Sequence, residues 1–142
     1  MAMTMPLPEY TFPARVYIED TDGGGLVYYV NYLKFMERAR TEFLRHLGFE
    51  HYLNAEEDFM FVVRGANVRY FQPARMDDAL TISAQIQSLG RASLVFKQEV
   101  RRGDTVLCSG DIDIACVKRS DFKPRALPEQ LVNLLKTRYG KS

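Results

Sequence analysis

The feature that most restricts the fold is a change of hydrophobic period partway along the chain. From Tyr28 to Leu47, apolar residues recur at spacings of three and four, at Tyr28, Tyr32, Phe35, Met36, Ala39, Phe43 and Leu47. That pattern is one face of a helix. Lys34, Arg38, Thr41, Glu42, Arg45 and His46 take much of the other surface, with Arg38 and Glu42 paired at i,i+4. Gly48 comes next, a residue able to end the helix in a left-handed conformation. A helix of this length runs about 30 Å. Something large must cover its apolar face.

The later part of the chain supplies that cover. Phe59–Phe71, Leu80–Leu89, Ala92–Arg102 and Thr105–Lys118 are predicted strands. Leu80, Ile82, Ala84 and Ile86 alternate with polar neighbours, as do Leu94, Phe96, Gln98 and Val100 with theirs. Leu89-Gly90-Arg91 and Arg102-Gly103-Asp104 suit antiparallel hairpins. A first short strand is predicted over Pro13–Asp20, ended by the Thr-Asp-Gly-Gly-Gly turn, and a second helix over Pro128–Arg138. The order is therefore strand, long helix, four meandering strands and short helix. One apolar helix against one antiparallel sheet is an α+β architecture, a single domain over 1–142 with the sheet wrapped around the helix. Open sheet edges make edge-to-edge dimerisation a natural expectation.

Composition limits the function classes. The 142 residues are 46% hydrophobic and 26% charged, the balance of a globular domain with a real core. No apolar run approaches the ~18 residues of a membrane span. Met1–Tyr10 lacks a basic cluster followed by an apolar stretch, so it does not read as a secretory signal, and a cytoplasmic location is expected. Cys108 and Cys116 lie on one predicted strand, about 26 Å apart at ~3.3 Å per residue. A disulfide spans at most ~7 Å, so both are expected as reduced thiols. Lacking His or Cys neighbours, they make poor zinc ligands, and no metal site is expected. A net charge of +1 argues against a nucleic-acid binder. From Lys118 onward, however, seven basic residues face two acidic ones. That tail is either a solvated surface or a landing site for a small polyanion.

The chemistry-bearing stretch runs from Glu19 to Tyr32. It places Asp20 and Asp22 at a strand end, then three glycines, then the start of the long helix. A helix N-terminus offers unpaired N–H groups and a partial positive charge. Those donors can hold an oxygen that gains negative charge, and a carboxylate opposite them suffices for acyl transfer to water. Asp before a glycine loop is also a common turn former or helix cap. Of the two, Asp22 is the catalytic candidate and Asp20 the structural one.

The string Tyr17-x-Glu19-Asp20-Thr21-Asp22-x-x-Gly25-Leu26-Val27-Tyr28-Tyr29-x-x-Tyr32 resembles the signature of the 4-hydroxybenzoyl-CoA thioesterase family of hotdog proteins. Within it, the resemblance points to the small bacterial group associated with the Tol–Pal cell-envelope system. It extends to Phe35-Met36-Glu37-Arg38-Ala39-Arg40, Pro73-Ala74-Arg75-x-Asp77-Asp78, Ser93-Leu94-Val95-Phe96 and Lys123-Pro124-Arg125-Ala126-Leu127-Pro128. It implies a hotdog fold, an acyl-CoA substrate, no cofactor, and a homodimer or homotetramer with a composite cleft. It further implies Asp22 as nucleophile or general base and the Tyr29 amide as the group that polarises the thioester carbonyl. Gly25 falls among the implied substrate contacts. Lys123 and Arg125 match positions near the CoA nucleotide, with Arg91 in a hairpin connection as a third candidate. Many of the Tol–Pal-associated members carry His at the position of Tyr29, so any role for imidazole there is lost.

Other classes fit less well. No Gly-x-Ser-x-Gly elbow is present, and the only histidines are His46, on the helix surface, and His51, in the loop or short helix after it. A Ser–His–Asp hydrolase and a His-dependent dehydratase are thereby disfavoured. A non-catalytic acyl-CoA sensor or envelope-complex adaptor on the same fold is the alternative from another class. Arg64, beside Gly65 in a strand, is assigned no role.

Overall fold

In a computed structural model that describes residues 3–50 and 57–140, the apolar stripe forms one helix, α1 (Tyr29–Leu47). Gly48 closes it at φ 94°, its N–H bonded to the carbonyls of Arg45 and Leu44. The strands are β1 (Tyr10–Arg15), β2 (Met60–Tyr70), β3 (Ala79–Leu89), β4 (Ser93–Arg102) and β5 (Thr105–Val117), with α2 (Glu129–Tyr139) after them. They form one antiparallel sheet in the order β1-β3-β4-β5-β2. With the helix against it, this is the α+β hotdog arrangement. His51 lies outside the described residues.

Two expectations are corrected. The first strand is β1, which starts at Tyr10 and ends at Arg15 rather than covering Pro13–Asp20. Tyr10, Phe12 and Ala14 are its half-buried positions, and Pro13 is tolerated because β1 is an edge strand that pairs only with β3. Beyond it, Val16 is buried, and Ile18–Asp20 winds into a single 3₁₀ turn because the Asp20 carboxylate accepts the Tyr17 N–H at 2.9 Å. The second correction concerns the meander. Only β3, β4 and β5 are successive neighbours, whereas β2 pairs with β5 at the far edge. A hairpin loop would force β2 against β3, but the longer segment between Tyr70 and Ala79 does not. It grips the start of α1 instead: Ala74 N–H donates to the Tyr32 hydroxyl at 2.9 Å, and Val27 N–H to the Ala74 carbonyl at 2.9 Å.

The core lies between α1 and the inner face of the sheet. Phe35, Met36, Ala39 and Phe43 are fully buried against Ile82, Ala84, Ile86 and Val100. Gly110 of β5 admits the Met36 sulfur, which would sit 3.2 Å from an added Cβ. Leu131 and Leu135 bring α2 into the same core. Cys108 and Cys116 are both buried free thiols of β5. Among the described residues, no helix is long and apolar enough to cross a membrane.

Candidate active site

The glycine loop is a tightly tied structure. Asp22 N–H donates to the Leu26 carbonyl at 2.9 Å, and Thr21 and Val27 form an antiparallel bridge. Gly23 and Gly25 sit at φ 88° and 84°, in the left-handed region that favours glycine. Leu26 bridges to Arg75, and Met76 N–H donates to the Gly25 carbonyl at 3.0 Å. The loop is thus clamped to the segment that grips α1.

Asp20 is the brace. Its carboxylate is buried and accepts the Asn31 side-chain amide at 2.8 Å as well as the Tyr17 N–H. Its carbonyl accepts the Tyr28 N–H at 3.0 Å. These bonds fix the incoming chain to the first turn of α1. Asn31 is the partner that sequence reasoning missed. Its polar side chain on the buried face of a helix is the signal that could have found it.

Asp22 is exposed, and its Oδ1 accepts the Gly24 N–H at 2.8 Å. This is an Asx turn, the structural use open to an Asp before a glycine loop. Oδ2 has no protein partner among the described residues. Tyr28 caps α1 without a side-chain hydrogen bond, so the Tyr29 amide opens the helix with no capping acceptor.

Beside that amide lies a pocket of ≈ 270 Å³ walled by Val27, Tyr29, Tyr32, Tyr70, Phe71 and Pro73. The Tyr70 hydroxyl donates to the Tyr29 carbonyl at 3.1 Å, and Tyr70 meets the rings of Tyr29 and Tyr32 edge-on. Burial pushes the Tyr32 and Tyr70 hydroxyls above their ordinary value of 10.0, so both stay neutral at neutral pH. Tyr70 and Phe71 were legible only as strand residues. Asp22 does not line this pocket within one chain. Asp78 holds the segment behind it, accepting the Arg75 N–H and the Arg102 guanidinium, each at 2.8 Å. Burial works against that charge, but these two donors outweigh it and leave Asp78 below its ordinary value.

The basic candidates gather elsewhere. The Arg91 carbonyl accepts the Leu127 N–H, Arg125 N–H reaches the Cys116 carbonyl, and Pro124 bridges Val117. Arg91 and Lys123 are exposed. The Arg125 guanidinium is engaged: it donates to the carbonyls of Ala126 and Asp58 and lies 5.5 Å from the Phe59 ring centre. Arg64 forms a two-bond ion pair with Asp113 across β2 and β5, at 3.0 and 3.1 Å. The basic cluster adjoins Met60, the first residue of β2, whereas Tyr29 adjoins Tyr70, the last. Ten residues of strand put roughly 33 Å between those ends. One chain therefore does not unite the basic residues with Asp22 and Tyr29.

A family model described as the thioesterase superfamily matches residues 24–109. Asp22 precedes that span, and Lys123 and Arg125 lie beyond it. The acyl-CoA thioester hydrolase YbgC of Escherichia coli is 45% identical over 124 residues, covering 87% of this chain and 92% of that one. The acyl-CoA thioesterase YbgC of Haemophilus influenzae is 39% identical, covering 86% and 90%. The crystal structure of a probable thioesterase from Bartonella henselae superposes with a TM-score of 0.79 at 38% identity, over 85% of this chain and all of that one.

Proposed function

This chain belongs to the thioesterase superfamily, and from that premise we propose that it hydrolyses acyl-CoA thioesters to a free acid and CoA in a cleft shared by two copies of the chain. The carrying observation is an exposed carboxylate with one free oxygen, on a loop locked to the uncapped start of α1. The Tyr29 N–H receives the thioester oxygen as it gains charge. Asp22 either attacks the carbonyl carbon, giving a mixed anhydride that water opens, or takes a proton from an attacking water. In both cases the C–S bond breaks, CoA leaves as the thiolate and is protonated, and the acyl carbon departs as a carboxylate. A thioester suits this sparse equipment, because its carbonyl has less resonance stabilisation than an ester's and a thiolate leaves more readily than an alkoxide.

The open sheet edge supports a second copy at β2. β2 is a long outer strand, exposed from Val63 through Asn67 and again at Arg69 and Tyr70. Such an edge is a template for pairing. Two copies joined antiparallel along β2 about a twofold axis set the Met60 end of one beside the Tyr70 end of the other. The basic cluster of one protomer then faces Asp22 and Tyr29 of its partner. Arg91 and Lys123, being exposed, are the stronger phosphate ligands in this reading. Arg125 positions the segment through Asp58 and Phe59, and Gly25 shapes the loop. We place the reaction in the cytoplasm, the compartment in which two buried free thiols are ordinary.

The test is release of free thiol from a panel of acyl-CoAs by wild type and Asp22→Asn. Hydrolysis by wild type and a kcat lowered by about 10²-fold or more in the variant are expected. Turnover unchanged in Asp22→Asn would remove that residue from the mechanism. Acyl-CoA bound but never cleaved by wild type would favour a non-catalytic binding module.

A further inference from the structure

A second cavity, of ≈ 370 Å³, lies between α1, the first residues of β2 and the inner faces of β4 and β5. That volume is within the range of small-molecule sites. Leu44, Phe61, Phe96 and Leu131 supply much of an apolar wall. Arg40 and Arg119 also line it, with Glu37 the one acidic residue among the described residues of its wall. Arg40 reaches from α1 toward the sheet, and its guanidinium donates to the Gln98 Oε1 at 2.8 Å. Gln98 is fully buried and gives its own amide to the carbonyls of Met36 and Ser83, so it is a neutral, fully used partner.

Arg40 has no ion pair among the described residues. A guanidinium carries five N–H donors, and the Gln98 bond uses one. Burial pulls its pKa below the ordinary 12.5, with Glu37 one turn away opposing the shift. A half-buried cation in a largely apolar hollow, with no carboxylate in ion-pair contact with it among the described residues, gains from an anion that joins it. Arginine suits a carboxylate because its planar fork donates two parallel bonds.

We propose that this cavity binds a free aliphatic carboxylate, with its head group on Arg40 and its chain against Leu44, Phe61, Phe96 and Leu131. The proposed hydrolysis supplies such acids as products, so the origin of the ligand rests on that reading. The binding itself does not. A released acid held here would leave its carboxylate on the enzyme after CoA has gone.

The experiment is calorimetric titration of the full chain with sodium hexanoate, sodium octanoate and 1-octanol. Octanoate is expected to bind tighter than hexanoate, by about fourfold per added methylene. Octanol should bind about tenfold or more weaker than octanoate. Arg40→Gln should bring octanoate down to the level of octanol and leave octanol unchanged, while Arg40→Lys keeps part of the preference. Thr41→Phe, which fills the cavity from its wall, should abolish binding of both. Equal affinity of wild type for acid and alcohol overturns the proposal even if Arg40→Gln does not fold. So does an acid preference that survives Arg40→Gln, or wild-type binding by Thr41→Phe. Octanoate binding without any thiol release would sink the proposed hydrolysis and leave this site standing; the reverse would remove only this site.

Discussion

Asp20 and Asp22 are two residues apart and have opposite surroundings. Asp20 is 5% exposed and ties the turn before α1 to the helix itself, through Tyr17 and Asn31. Asp22 faces solvent with a single short-range bond to Gly24. Removing Asp20 strands two donors that a charged acceptor now satisfies, so Asp20→Ala should cost roughly 2–3 kcal/mol in denaturant unfolding. Asp22→Asn should stay within about 0.5 kcal/mol of wild type in the same measurement while losing turnover. If both variants were equally unstable, the division of labour would be wrong. The thiols give a second contrast at this scale. Burial pushes the Cys108 thiol up to about 12 and raises Cys116 as well. Neither should react with an aromatic disulfide reagent at pH 8 in the native state, and both should react on unfolding. Because the unfolded thiols ionise first, near 9.0, their contribution to stability is complete below that value and declines as pH climbs past it. A melting temperature that rose between pH 9 and 11 would contradict this, other groups being equal.

Elements were legible where a local signal fixed them. The period of α1, its glycine stop and the hairpins at Gly90 and Gly103 all arise from residues close in sequence. Gly48→Ala tests the stop directly, since φ 94° is strained for any residue with a Cβ; a loss of about 1–2 kcal/mol is expected by thermal or denaturant unfolding. The added methyl meets only Leu134 at 4.0 Å, so backbone conformation rather than crowding is the cause. The start of β1 was missed because Pro13 reads as a strand boundary, and only pairing with β3 reveals that it sits on an outer edge. The partner of β2 was missed because alternation along a strand says which face is buried but not which strand lies beside it. That choice was made by the segment after Tyr70, through its bonds to Tyr32, Val27 and Val16.

At the scale of the whole molecule, the position of β2 decides what one chain can do. That Asp22 lies near Tyr29, and Lys123 near Arg125, follows from closeness in sequence. The separation of the two pairs was not legible, because it depends on β2 and β5 running the length of the sheet between them. A cleft made from opposite ends of one strand needs either a long ligand or a second copy, and the proposed antiparallel pairing of β2 would supply that copy without any new contact within the chain. The arrangement has a consequence that activity of single variants cannot imitate. Asp22→Asn should be inactive through the chemistry, and Arg91→Glu with Lys123→Glu should lose acyl-CoA affinity through charge. When the two variants are unfolded and refolded together, about half of the dimers are mixed, and each mixed dimer holds one cleft with wild-type residues from both chains. Thiol release should then recover to about a quarter of the wild-type rate, whereas the same proteins refolded separately and combined recover nothing until subunits exchange. Absence of recovery in dimers shown by light scattering to be mixed would place Asp22 and the basic cluster in the same chain's cleft, and the twofold pairing along β2 would have to be abandoned.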